Sequence, residues 1–281
     1  MMQSADNQQQ GHARAIDARA SDARVSDDPH QRSTPSESDE KRSWKKLIYF
    51  SLRDRLIEQP QIFNALWRKR ENDLYEKRVV RPDSALVIEG FPRCANTFAY
   101  YAFMLAQDKP VHLGNHMHCV AQFALAQKWK VPALLLVRQP MDTIASNYLF
   151  ELGLPLEYHI RRYVTFHRLV KRHVDSLVVS DFPRTIGAFS DVIQEVNERF
   201  GTRFKALPDG EETQLRVNAE MKAKRDWRVQ LGKKELKSYG ASFPTEEKNK
   251  RKPMVIARLN EPKHRDLMKR AEEAYQALLA R

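Results

Sequence analysis

The chain lacks several things at once. Its 281 residues include only two cysteines, Cys94 and Cys119, in no CxxC pair. That excludes a disulfide framework and a cysteine zinc site, and it fits a reducing compartment. No apolar run approaches the roughly 20 residues that a membrane-spanning helix needs. The polar opening MMQSADNQQQ carries no secretory signal, so the expectation is a soluble, cytoplasmic chain. No aromatic residue precedes Trp44. The glycine-rich GxxxxGK[ST] pattern of ATP-binding loops is also missing. No recognition-helix, RRM or zinc-finger signature accompanies the basic charge, which argues against nucleic acid as a partner.

What remains can build a substantial core: hydrophobic residues make up 42% of the chain and charged residues 30%, with a net charge of +12. Residues 1–43 are rich in Ser, Gln, Asp, Arg and Ala and hold no period of 2 or 3.6, so they cannot bury enough apolar area to offset their ordering entropy. They read as a disordered polar tail. Residues 1–42 carry about −2, which concentrates about +14 in the rest and favours anionic ligands. Residues 44–281 read as a single domain. In 44–80, Leu47, Phe50, Leu52 and Leu56, then Phe63, Leu66 and Trp67, recur at helical spacing, with Pro60 between two helices. Basic residues flank aromatics there, so peripheral contact with a membrane competes with packing on the domain, which is the favoured reading.

Three short runs, ALVIE (85–89), PALLLV (132–137) and SLVVS (176–180), are continuously apolar, as strands buried on both faces of a parallel sheet are. Each precedes a helical pattern: Thr97–Ala106, Met141–Phe150 and Ile186–Phe200, the last ended by Gly201. The expectation is an α/β fold, three layers around a central, mostly parallel sheet, like that of P-loop NTPases. Residues 221–281 read as a helical, basic C-terminal part, ending in a helix over Arg265–Leu279.

In open α/β sheets, ligands sit beyond the carboxyl ends of the strands. GFPRCANTFAYYAF (90–103) follows the first strand. Asn96 or Thr97 suits a helix cap, helix N-termini attract anions, and Arg93 adds a full charge. LLLVRQPMDTIASNY (134–148) follows the second strand, where Arg138 and Ser146 offer an anion clamp and a hydroxyl. Between the loops, VHLGNHMHCVAQF brings His112, His116 and His118. A His with a near-neutral pKa is suited to take a proton.

Together the two loops resemble those of the sulfotransferases that use 3′-phosphoadenosine 5′-phosphosulfate (PAPS). GFPRCANTFAYYAF resembles the family's 5′-phosphosulfate loop, and VRQPMDTIASNY its 3′-phosphate segment. The resemblance covers about residues 85–204 and suggests a bacterial-type member. It implies that Arg93, Cys94, Ala95, Asn96 and Thr97 hold the 5′ end of the donor, with Arg93 also acting in catalysis. Arg138 and Ser146 would then hold the 3′-phosphate. His116 would be the base, with His118 as the alternative two residues on. Cys94 and Ala95 depart from the family's commoner Ser-Gly. The implied reaction moves a sulfuryl group to a hydroxyl or amine of a carbohydrate, lipid-linked sugar or small alcohol, and requires no metal. Arg251-Lys252-Pro253 echoes the family's C-terminal Arg-Lys-Gly loop, although a solvated helix face is favoured for the basic cluster from Lys222 to Lys252. The rivals are a P-loop nucleotide kinase and a non-catalytic scaffold on the same fold.

Overall fold

The computed structural model describes residues 37–68, 78–230 and 245–280. Residues 1–36, and 231–244 with Lys233, Lys234 and Lys237 of the basic cluster, lie outside the described residues. Residues 36–281 form one compact unit. The chain is already helical from Glu37, inside the segment read as a tail: α1 spans Glu37–Ile57 and α2 spans Pro60–Arg68. Pro60 thus opens the second helix, where its missing N–H costs nothing.

The core is a sheet of four parallel strands, β1 (Leu86–Gly90), β2 (Leu113–Asn115), β3 (Ala133–Val137) and β4 (Val178–Asp181), in the order β2-β1-β3-β4. Helices flank it, so the fold is α/β. Every residue of β1 and β3 is buried, which is why their sequences are apolar without alternation. β2 was not expected. Three residues, one of them glycine, give no strand pattern, yet they pair Leu86 with Leu113 and Ile88 with Asn115. The helix expected over Ile186–Phe200 is two, α7 (Phe182–Gly187) and α8 (Phe189–Phe200), broken at Ala188. Asp181 starts the first of these by accepting the Arg184 N–H. Gly201 closes α8 at φ 65°.

From β1 the chain crosses to β2 on one side, and it reaches β3 on the other. The strand order therefore reverses between β1 and β3, and it is beyond the carboxyl ends of strands at such a point that open α/β sheets take ligands. Gly90 makes that close pairing feasible, because a Cβ on it would stand 2.2 Å from the Leu136 carbonyl oxygen. Among the described residues, no helix is long and apolar enough to cross a membrane.

Gly90→Ala must push β1 and β3 apart. It is expected to destabilise the protein by about 2 kcal/mol or more, seen as a lower urea midpoint at unchanged slope. An unshifted midpoint would show that the sheet absorbs the methyl group.

Candidate functional site

The loop after β1 leads from Phe91 into α3 (Asn96–Ala106), and the loop after β3 leads through Arg138 into α5 (Pro140–Phe150). Between them lie α4 (Ala121–Trp129) and the β2–α4 loop, which carries both histidines. Five non-glycine residues among those described have positive φ. Arg93 (76°), Ala95 (67°), His116 (53°) and His118 (54°) are four of them. Such backbone is strained for L-residues and persists where surrounding contacts hold it. Neither Asn96 nor Thr97 caps α3. Ala95 takes the cap position in the left-handed region, and the Asn96 amide turns back to donate to the Phe91 carbonyl at 2.9 Å.

The two loops meet. Arg93 Nε donates to Ser146 Oγ at 3.0 Å, and Arg138 donates to the Arg93 carbonyl at 3.3 Å. Arg138 also pairs with Asp142 at 2.9 Å, and its guanidinium lies 3.8 Å from the Phe182 ring centroid. Tyr163, in α6 (Leu156–Val170), donates its hydroxyl to the Arg138 carbonyl at 2.6 Å. Arg93, Arg138 and Ser146 are therefore neighbours. Cys94 is buried, and burial pushes its thiol up to about 12, so it contributes backbone and packing rather than a thiolate.

Two further cations arrive from the C-terminal part. α10 (Glu246–Leu259) begins at Thr245, whose side chain accepts the Lys248 N–H, and it continues through Pro253. Arg251-Lys252-Pro253 is thus helical rather than a loop; Lys248 and Lys252 are half-buried, whereas Lys222, Lys224 and Lys250 are exposed, as expected of a solvated face. Lys252 pairs with Asp142 at 2.6 Å. Burial, then the charges of Arg93, Arg138 and Lys252, push Lys248 down to about 7. Burial and then Arg138 lower Arg93 to about 10, which still leaves it charged at neutral pH. Burial alone would raise Asp142, but Lys252 and Arg138 hold it below the usual carboxylate range. Four basic side chains thus lie close together, two of them, Arg138 and Lys252, on the Asp142 carboxylate.

The two histidines are in different situations. His116 Nδ1 donates to Asn115 Oδ1 at 2.8 Å, which leaves Nε2 to accept the Thr97 hydroxyl at 3.1 Å. Burial, then the neighbouring His118, push its pKa down to about 3, so the ring is neutral with both nitrogens engaged. His118 Nδ1 faces the Gly90 carbonyl at 2.9 Å, and a carbonyl only accepts, so this nitrogen donates and the lone pair lies on Nε2. His118 is 25% exposed, and Glu89 lies 3.3 Å from its Nδ1. Glu89 is fully buried within β1 and accepts the N–H groups of Gly90 and Met117. Burial opposes its charge, but His118 and the Met117 N–H outweigh that and lower its pKa. His112, by contrast, bonds Ser84 at 2.8 Å and acts structurally.

The sequence reading missed Glu89 and Lys248 as parts of the site, and it held Lys252 only as the less favoured echo of the family's C-terminal loop. A charged residue inside an apolar strand was the signal for Glu89. No group of three or more His, Cys, Asp or Glu assembles a metal site among the described residues. Ala95→Gly relieves a left-handed alanine and is expected to stabilise the fold by about 0.5–1 kcal/mol, read as a raised Tm. A lowered Tm would mean that the Ala95 methyl makes contacts worth more than that strain.

No family model matches the chain, and no curated protein matches it in sequence. Among solved structures, the crystal structure of mouse sulfotransferase SULT7A1 complexed with PAP is similar at 10% identity and a TM-score of 0.37, over 68% of this chain and 90% of that one. At that distance the functional reading rests on the chain's own residues.

Proposed function

We propose that the protein is a sulfotransferase that binds PAPS beyond the carboxyl ends of β1 and β3. The observation that carries this reading is the clustering of Arg93, Arg138, Lys248 and Lys252, of which Arg138 and Lys252 pair with Asp142 while Arg93 reaches Ser146. Burial and then neighbouring positive charge lower both Arg93 and Lys248, and a compact polyanion would offset that charge. The sequence resemblance of the same two loops names one with phosphates at both the 3′ and 5′ ends. Arg138 and Ser146 hold the 3′-phosphate. Arg93, the Cys94–Asn96 backbone and Thr97 hold the 5′ end. The donor brings the activated sulfuryl group, and this chain's residues position and neutralise it.

His118 is the better base, which exchanges the order of the two histidines. Its Nδ1 is held by the Gly90 carbonyl beside Glu89, so Nε2 can take the proton of an acceptor hydroxyl. As the acceptor oxygen bonds to sulfur and the sulfur–oxygen bond to the donor's phosphate breaks, Arg93 offsets the charge left on that phosphate. Buried Glu89 stabilises the imidazolium that forms. His116, by holding the Thr97 hydroxyl, positions the 5′ end.

In a thermal-shift comparison, 3′,5′-adenosine bisphosphate is expected to raise Tm, with ADP and ATP giving smaller shifts. Equal shifts, or none, would remove the reading. His118→Ala is expected to lower turnover about 100-fold or more at unchanged donor affinity. His116→Ala should instead weaken donor binding, and the opposite pattern would restore His116 as the base.

A further inference from the structure

A second feature lies on the other side of His118. A cavity of about 590 Å³ opens between α1, α6 and α11 (Arg265–Leu279), with His118 in its wall. Its volume is in the range of small-molecule sites. Phe91, Val164, Phe166, Leu169 and Leu267 give it an apolar lining. Arg55, Arg161, Arg168 and Arg270 also line it, and each is exposed. None of these four has an ion pair among the described residues. Arg168 and Arg270 continue into an adjoining cavity of about 400 Å³ that adds Lys171 and Glu273.

The acids in the larger cavity do not cancel this charge. Asp54 is consumed by Arg53 at 2.7 Å and Arg162 at 3.2 Å, and it also accepts the Tyr158 hydroxyl. Burial pushes the Glu58 carboxyl up to about 7 even though it accepts the Val120 N–H. The cavity therefore presents an apolar floor, a rim of arginines and, in its wall, a histidine whose Nδ1 is held by the Gly90 carbonyl. α1, which supplies Ser51, Asp54 and Arg55 to the wall, with Glu58 just beyond its end, also exposes Trp44, Ile48, Leu52 and Leu56 at four-residue intervals. Apolar surface and positive charge thus continue from the cavity to its surroundings.

We infer that this cavity is the acceptor site and that its acceptor is an anionic amphiphile. Such a molecule has an apolar body, a phosphate or carboxylate, and the hydroxyl that receives the sulfuryl group. The inference rests on the sulfotransferase reading. The apolar body lies over Phe91, Phe166 and Leu267, the anion meets the arginine rim, and the hydroxyl reaches His118. A neutral phenol would leave the rim unused, and a purely polar polyanion would leave the floor unused.

Calorimetric titration of the full chain with dodecyl phosphate below its micelle concentration tests this, against inorganic phosphate and neutral dodecyl maltoside. Dodecyl phosphate is expected to bind at least about tenfold more tightly than either comparison. The double variant Arg161→Glu/Arg270→Glu reverses two exposed charges. Thr165→Trp fills the cavity from an exposed position. Each should weaken dodecyl phosphate binding about tenfold or more while leaving the affinity for 3′,5′-adenosine bisphosphate unchanged, which also shows that the fold is intact. Co-sedimentation with phosphatidylglycerol vesicles separates a bilayer-borne amphiphile from a free one, and either source supports the inference once the variants abolish binding. Binding that both variants leave unaltered, or that dodecyl maltoside matches, overturns it. If dodecyl phosphate binds in the cavity but 3′,5′-adenosine bisphosphate binds nowhere, the acceptor role falls together with the sulfotransferase reading. If only the bisphosphate binds, the acceptor inference alone falls.

Discussion

Four neighbouring positive charges organise the carboxyl ends of this protein's central strands. Arg93, Arg138, Lys248 and Lys252 come from three separate stretches of chain, and Arg138 and Lys252 share Asp142. Their mutual repulsion is offset by what surrounds them: the Ser146 hydroxyl on Arg93, the Phe182 ring beneath Arg138, and the packing of α10 on α5. The cost shows in Lys248, whose folded pKa lies below its unfolded value. The folded state then binds fewer protons than the unfolded one between about pH 7 and 10.5, so this lysine's contribution to stability rises with pH across that window and is lost as pH falls toward 7. A bound polyanion removes the repulsion.

The backbone around these strand ends bears a related constraint. Left-handed residues at Arg93 and Ala95 curl the first loop beneath α3, and those at His116 and His118 aim two rings differently from one short segment. His116 turns to Thr97 and the donor loop, while His118 turns to Gly90 and the larger cavity. One ring thus faces the loop before α3 and the other the larger cavity. Glu89 joins them to the sheet by accepting the Met117 N–H between them. A carboxylate buried in a core strand is tolerated because each of its oxygens has a donor.

Much of this was legible in the chain, for definite reasons. β1, β3 and β4 are buried on both faces or nearly so, and continuous apolar runs report that directly. Arg93 and Arg138 stand just beyond strand ends, where ligands of parallel sheets sit, Ser146 lies within α5, and the structure brings those three together. β2 was invisible because it is short and its pairing is set by β1 rather than by its own residues. The break at Ala188 was hidden because the pattern on both sides of it remains helical. Which face of α10 turns inward could not be read either: a basic helix with a proline at its centre looks solvated until Asp142 is placed beside it. The choice between His116 and His118 depends on two positive φ angles, which side-chain spacing does not report.

The central claim is that the cation cluster is completed by one polyanion, and the direct measurement is the proton balance of that event. Calorimetric titration of 3′,5′-adenosine bisphosphate near pH 8, in buffers of different ionisation enthalpy, reads it. The account predicts net proton uptake on binding, since the ligand's charge raises the pKa of Lys248, and loss of that uptake in Lys248→Met. Binding with no proton uptake, or uptake that persists in Lys248→Met, would contradict it.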